Sequence, residues 1–293
     1  MTVWDAGRVT NERADNDVNE MSIWIDGVTY TDPAAARVSA VDHGLVVGDG
    51  VFEALKVTAA GPFAVQRHFD RLSRSAAALG LPDPDHASLR AGIDATLAGR
   101  RWDEGKIRIT YTGGAGPLGS GAASGPPLSV VAAEPRAVSE PIGAIVTAPW
   151  TRNTSGAMTG VKTTSYGENV RGLAFAHERG ATEAIFINTA GHVCEGTGSN
   201  IFFVFGSQIT TPPLSAGPLA GITRELLLEW LDVEESALSY EQALRADEVF
   251  ITSSLRDVQA VSHWDGHDFA AIGPRTAEAA KVFAENSQGN LDP

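Results

Sequence analysis

EAIFINTAGHVCEGTGSNIFFVFGSQITTPP, residues 183–213, carries four β-prone runs in succession with only short turns between them. EAIFIN and the run ending at Glu195 flank a Thr-Ala-Gly connection, and NIFFVF and QITTPP flank Gly206-Ser207, so both junctions read as tight turns. Parallel neighbours need crossovers of a dozen or more residues, which these turns do not supply. The same pattern extends outward. Downstream come the helical ITRELLLEWL with Gly221 just before it, the strand EVFITSS, a hairpin at Trp264-Asp265-Gly266 and a terminal helix TAEAAKVFAEN. Strands outnumber helices without alternating with them one for one, which disfavours a doubly wound parallel sheet and indicates an α+β fold.

Upstream, SIWIDGVTY (22–30) places an Asp-Gly pair between β-prone runs, a hairpin signal. VFEALKV reads as a strand, RHFDRLSRSAAALGL as a helix ended by Gly80, and residues 87–99 as a second helix. The strands KIRITYT and LSVVAAE are separated by a Gly/Ser/Pro-rich loop, 113–127, of lid-like composition. EPRAVSEP (134–141) is charged, Pro-bearing and aperiodic, the composition of a domain boundary. Beyond it come the strand GAIVTAP, a polar loop, and a helix from about Ser165 to Arg179 closed by Gly180. The expected organisation is a polar extension at 1–21, a small N-terminal domain at 22–135, a linker at 136–141 and a larger domain at 142–293.

The 293 residues are 43% hydrophobic and 20% charged, with a net charge of −14. That charge opposes nucleic acid and anionic membrane surfaces as partners and leaves small molecules. An anionic ligand needs a local nest of N–H groups and one or two placed cations. A single cysteine, Cys194, excludes an intrachain disulfide and a Cys-based zinc cluster, and it reads as a small buried hydrophobe. No metal site is expected. With no apolar run of membrane-spanning length and no apolar signal core at the start, the expected location is the cytoplasm.

Three segments have the chemistry of anion or cofactor contacts. In LAGITREL, Gly221 permits close backbone approach and Thr223 adds a hydroxyl to the free N–H groups of a helix start. In FITSSLR, Thr252, Ser253 and Ser254 end a strand where hydroxyls and N–H groups can converge. In CEGTGSN, Glu195 sits among glycines and small hydroxyl residues, Ser199 included, and is an odd acid to bury without a cation. The chain has four lysines, Lys56, Lys106, Lys162 and Lys281. Only Lys162 lies between a strand-like valine and a Thr-Thr-Ser run entering a helix, a setting that lowers an amine pKa for Schiff-base chemistry.

GDGVFEALKV, RHFDRL, VKTTSYGENV, EGTGSNIFFV, LAGITREL and FITSSLRDVQAV, in that order, resemble the motifs of fold-type IV pyridoxal-phosphate enzymes. That family includes branched-chain aminotransferases, D-amino-acid aminotransferases and 4-amino-4-deoxychorismate lyases, and the resemblance spans about Ser22 to Val261. It implies a two-domain fold with a small N-terminal α/β domain and a larger C-terminal pseudo-barrel, and pyridoxal 5'-phosphate as cofactor. By resemblance Lys162 carries the cofactor as a Schiff base and moves the substrate's α-proton. Arg71, Ile222, Thr223, Ser253 and Ser254 would hold the phosphate, Glu195 would face the pyridine nitrogen, and Tyr166 and Ser199 would contact the cofactor. His43, His68 and His192 read as structural. A homodimer is implied as well.

Substrate contacts fall on Phe52, Leu118 and Ser120. The D-amino-acid aminotransferases carry a tyrosine at the position of Phe52, and an Arg-x-His carboxylate trap where this chain has Leu118 and Ser120 in TGGAGPLGSG. The carboxylate is left to backbone N–H groups, to Ser120 or to an arginine such as Arg152, which implies relaxed recognition. The expected activity is amino transfer between an amino acid, D-amino acids included, and a 2-oxo acid. The alternatives are release of 4-aminobenzoate and pyruvate from aminodeoxychorismate, and non-catalytic binding of the cofactor.

Overall fold

The computed structural model describes residues 21–293, so the polar extension assigned to 1–21 lies, apart from Met21, outside the described residues. Asp26 and Gly27 both take positive φ, 42° and 95°, which sets the right twist for the hairpin of β1 (Ser22–Ile25) and β2 (Val28–Tyr30). With β3 (Gly50–Thr58), β4 (Gly61–Pro62), β5 (Glu104–Thr112) and β6 (Leu128–Pro135) they form a six-stranded antiparallel sheet in the order β2-β1-β6-β5-β3-β4. A short turn of helix, α1 (His43–Val46), leads into β3. Helices α2 (Val65–Leu79) and α3 (His86–Leu97) cover the sheet, and Val51, Leu55, Phe69, Leu72, Ile93 and Ile107 are buried between them. Gly80 ends α2 in the left-handed conformation, φ 75°, with its N–H on the Ala76 and Ala77 carbonyls.

Residues 142 onward build a second, nine-stranded sheet. Its strands are β7 (Ile142–Arg152), β8 (Glu183–Asn188), β9 (Val193–Gly196), β10 (Asn200–Phe205), β11 (Gln208–Thr211), β12 (Val233–Glu235), β13 (Glu248–Ser253), β14 (Asp257–Trp264) and β15 (His267–Asp268). The order is β12-β11-β10-β13-β14-β7-β8-β9, with β15 on β14, and three of the pairings are parallel. The 183–213 stretch forms β8 to β11 as two antiparallel pairs, the mixed α+β architecture expected of a fold-type IV enzyme. Helix α4 (Gly167–His177) packs on β7 and β8. Helix α5 (Ile222–Trp230) and helix α7 (Pro274–Gly289), which flank the short α6 (Tyr240–Ala243), pack on each other and on β13. Phe202, Leu226, Phe250 and Phe283 fill that interface.

Helix α4 starts two residues later than the sequence pattern implies. Thr164 and Ser165 have spent their groups elsewhere: the Thr164 N–H donates to Gly50 O at 2.8 Å and the Ser165 hydroxyl to Gly48 O at 3.2 Å. Among the described residues no helix is long and apolar enough to cross a membrane.

Helix α7 has no side-chain cap from its own N-cap residue, Gly273. The buried carboxylate of Glu248 in β13 does that work, accepting the N–H groups of Arg275 at 3.2 Å and Thr276 at 2.8 Å. A Cβ on Gly273 would fall onto that carboxyl group. Gly273→Ala is therefore expected to cost about 2–4 kcal/mol, the lost cap plus an unsatisfied buried carboxylate. Urea unfolding checks this, and an unchanged midpoint would refute the capping role.

Candidate active site

Lys162 lies in the irregular connection between β7 and α4, which runs against β3 of the first sheet. Phe52 N–H donates to Lys162 O at 2.9 Å, Val51 and Thr163 form a bridge, and the Lys162 N–H reaches Ser75 Oγ at 3.3 Å. Gly48, at φ 72°, must be glycine there because a Cβ would strike the Ser165 hydroxyl. The backbone is thus spent on the small sheet while the side chain is free to project. Its amine makes no hydrogen bond among the described residues; it lies 4.3 Å from the Phe52 ring centre and 5.9 Å from that of Tyr166. Those rings meet edge to face at 5.1 Å. Burial, then the Arg71 charge, lowers the Lys162 pKa to about 8, against the opposing pull of Glu53 and Glu195.

Glu195, at the end of β9, has one oxygen on the Leu219 N–H at 2.8 Å and the other 3.9 Å from Arg152. Burial raises its pKa, which Arg152 and the Leu219 N–H oppose. Arg152 itself rests over the Phe186 ring at 4.1 Å and reaches Asn169 at 3.5 Å. The Tyr166 hydroxyl and the Asn169 amide both donate to Thr197 O, at 3.1 and 2.6 Å. Burial, with Glu195 nearby, pushes the Tyr166 phenol up to about 12. Behind this loop the fully buried Glu183 accepts the Thr197 N–H, the Ser199 hydroxyl at 3.2 Å and an Arg256 N–H. The Ser199 hydroxyl is therefore directed at Glu183.

The third group of donors is cationic and backbone-based. Gly221 begins α5 without a side-chain cap, leaving the first-turn N–H groups of Ile222 and Thr223 unspent among the described residues, and a Cβ on Gly221 would strike Asn200. Arg71, from the buried face of α2, donates through Nε and Nη2 to Glu53 at 2.8 and 2.6 Å and through Nη1 to Ala220 O at 2.9 Å. Five N–H donors less these three leaves two. The Thr252 hydroxyl is buried with no partner among the described residues. Ser254 Oγ lies 3.4 Å from His68 Nε2.

Arg71, Lys162, Tyr166, Glu195, Ser199, Ile222, Thr223, Ser253 and Ser254 all line one cavity of about 460 Å³, together with Arg152 and Thr252. Phe52 is buried beneath the lysine amine and outside that lining. Leu118 is 80% exposed and Ser120 is exposed, both at the tip of a loop whose base is held by His43 Nε2 on Pro117 O at 2.9 Å. The chain's own fold does not bring these two to the cavity.

Sequence reasoning passed over Glu53, Glu183 and Arg108, and it read His68 as structural. Glu53 had a legible signal, an acid in the middle of an apolar strand, and it is fully buried. Arg108 faces the same side of the sheet as Phe52, since Phe52 pairs with Thr110 and Ala54 with Arg108, and its guanidinium lies 3.9 Å from the Phe52 ring centre. Cys194 is buried, which pushes its thiol pKa well up.

Residues 50–264 match the family model for amino-transferase class IV. The bifunctional aminodeoxychorismate lyase / D-amino acid transaminase of Mycobacterium tuberculosis is 30% identical, over 90% of this chain and 96% of its own length. The branched-chain aminotransferase structure from Thermoproteus uzoniensis with norvaline superposes with a TM-score of 0.85 at 27% identity, covering 92% of this chain and 95% of that one. A hypothetical aminotransferase from Mycobacterium tuberculosis in its PLP-bound form gives 0.78 at 27% identity, covering 90% and 97%.

Proposed function

The chain belongs to the class IV aminotransferase family, whose enzymes depend on pyridoxal phosphate, and from that premise we propose a transaminase that moves an amino group between an amino acid, D-amino acids included, and a 2-oxo acid. The observation that carries this reading is the Lys162 amine: unpaired among the described residues, its pKa lowered to about 8, and opening on the same cavity as Glu195 and the donor-lined cup. The donor set suits the cofactor. A phosphate monoester needs convergent N–H and hydroxyl groups, which the α5 start, the spare Arg71 donors and the partnerless Thr252 hydroxyl supply.

When bound, the cofactor supplies an aldehyde for the amino group and a ring that accepts the α-carbon's electron pair. The residues do the rest. Lys162 would hold the cofactor covalently and would take and return the α-proton at its Nζ. Glu195 would keep a proton on the ring nitrogen, and Arg71, Ile222, Thr223, Ser253 and Ser254 would hold the phosphate. Tyr166 and Phe52 wall the lysine from water, with Ser199 bracing the Glu195 loop through Glu183. In place of an arginine in the 113–122 loop, Arg108 beside Phe52 is the cation nearest the lysine-facing rings. One such cation without a second fixed partner supports relaxed carboxylate recognition.

Mixing the holoenzyme with D-alanine and 2-oxoglutarate is expected to form pyruvate and glutamate in equal amounts. A paired panel of D- and L-amino acids, branched-chain ones included, then ranks donors. Pyruvate released only from aminodeoxychorismate would replace this reading with the lyase, an activity that the Mycobacterium tuberculosis relative also bears in its name.

The working unit in this reading is a homodimer. Val41, Leu45, Val46 and Val47 are exposed around α1, and Leu118 is exposed on the loop that His43 ties to it. Exposed apolar side chains of this kind suit contact with a second copy. Light scattering behind size exclusion measures the mass, and a monomer at working concentration would overturn the dimer.

A further inference from the structure

Glu53 is the most heavily committed buried acid in the small domain. It stands on β3 with no exposure, and both oxygens are taken: Oε1 by Arg71 Nε at 2.8 Å, Oε2 by Arg71 Nη2 at 2.6 Å and His68 Nδ1 at 2.6 Å. His68 and Arg71 are three residues apart on α2, so both face the strand. The Arg71 and His68 contacts hold the Glu53 carboxyl well below the usual carboxylate range despite its burial. An ionised Glu53 fixes the ring tautomer: Nδ1 carries the proton and donates, leaving Nε2 to accept from the Ser254 hydroxyl at 3.4 Å. The chain of contacts runs from one carboxylate to two separate walls of the cavity, the guanidinium on one side and the β13–β14 turn on the other.

That turn is held from its other end as well. Lys56, on the same strand as Glu53, donates to both oxygens of Asp257, at 2.8 and 2.6 Å, and Arg256 pairs with buried Glu183. Arg71 has its charge neutralised by a carboxylate that cannot move, and its two spare N–H groups keep one direction. A guanidinium aimed in advance loses less entropy when an anion arrives.

We propose that Glu53 is the positioning residue for the phosphate end of this cavity, fixing Arg71 directly and Ser254 through His68; this rests on the assignment of the cavity to pyridoxal phosphate. It touches neither substrate nor cofactor. A purely structural ion pair would support everything in the cavity alike, whereas a positioning role weakens only ligands that carry the phosphate.

The test titrates full-chain apo-protein with pyridoxal phosphate and, separately, with pyridoxal, following tryptophan fluorescence and visible absorbance. Glu53→Gln is expected to weaken pyridoxal phosphate by about 30-fold, the usual effect of removing half of a buried charged pair, and pyridoxal by less than about twofold. His68→Asn keeps a donor for Glu53 but cannot reach Ser254, and should lose about three- to fivefold for pyridoxal phosphate alone. Equal losses for both ligands, or no loss for the phosphate ester, would overturn the proposal. If Glu53→Gln does not fold, His68→Asn decides by the same criterion. A wild-type protein with no preference for the phosphate ester would instead sink the cofactor assignment itself.

Discussion

Lys162→Ala is expected to lower amino transfer by at least about 10³-fold, because in the proposed mechanism it removes both the covalent anchor and the proton carrier. The other lysines cannot take over. Lys56 is bound to Asp257, Lys106 to Glu134, and Lys281 is exposed on α7 beside Glu285. Among the described residues Lys162 alone of the four has no carboxylate partner, and burial lowers its pKa. The variant protein should also lose borohydride-trapped cofactor, which mass spectrometry reads at the peptide level. Full turnover without Lys162 would favour a different catalytic residue; trapped cofactor with no turnover in the wild type would favour a binding protein. The pH dependence has a definite sign. Only the neutral amine attacks an aldehyde, so capture of pyridoxal phosphate by apo-protein should rise about tenfold per pH unit below ~8 and level off above it. A break near 10.5, the ordinary lysine value, would show that burial does not act on this amine.

What was legible beforehand and what was not follow from distance along the chain. The hairpin at Asp26-Gly27, the helix end at Gly80 and the turn at Asp265-Gly266 are local, and positive φ at each is a demand that two or three residues reveal by themselves. Lys162 was legible from its neighbours, since the Thr-Thr-Ser run that follows it is what ties the segment to Gly48 and Gly50. Elements of three or four residues, such as β12 and α1, are too short to show a period. Helix α6 did carry a signal, the Ser239 and Gln242 capping box. The Glu53–His68–Arg71 cluster joins a strand to a helix 15 to 18 residues away, and only the tertiary fold states that pairing. Arg108 is a plain strand arginine until the β3–β5 register sets it beside Phe52. The motifs marked candidate residues that the fold gathers at one cavity; the partners that orient them came from the packing.

Glu195→Gln is the second large effect, expected to reduce turnover by about 10²–10³-fold while cofactor binding falls by less than about tenfold. Gln keeps the shape and can still accept the Leu219 N–H, so the loop that carries it should stand. What it lacks is charge. Burial raises the Glu195 pKa further than Arg152 at 3.9 Å, the Leu219 N–H and the Lys162 charge lower it, so the carboxylate is poorly matched until another cation arrives. A protonated ring nitrogen of the proposed cofactor would be such a cation, and each would then keep the other ionised. With Gln the ring nitrogen has no anion to hold its proton, and a neutral ring is a weaker acceptor for the α-carbon's electron pair. Single-turnover kinetics should place the loss in α-proton removal, visible as a larger deuterium isotope effect with α-deuterated alanine. Glu195→Asp, which retains the charge but sits one methylene short, should recover part of the rate. Full turnover in Glu195→Gln would remove this acid from the mechanism, and an equal loss in the Asp variant would show that reach rather than charge is what the site requires.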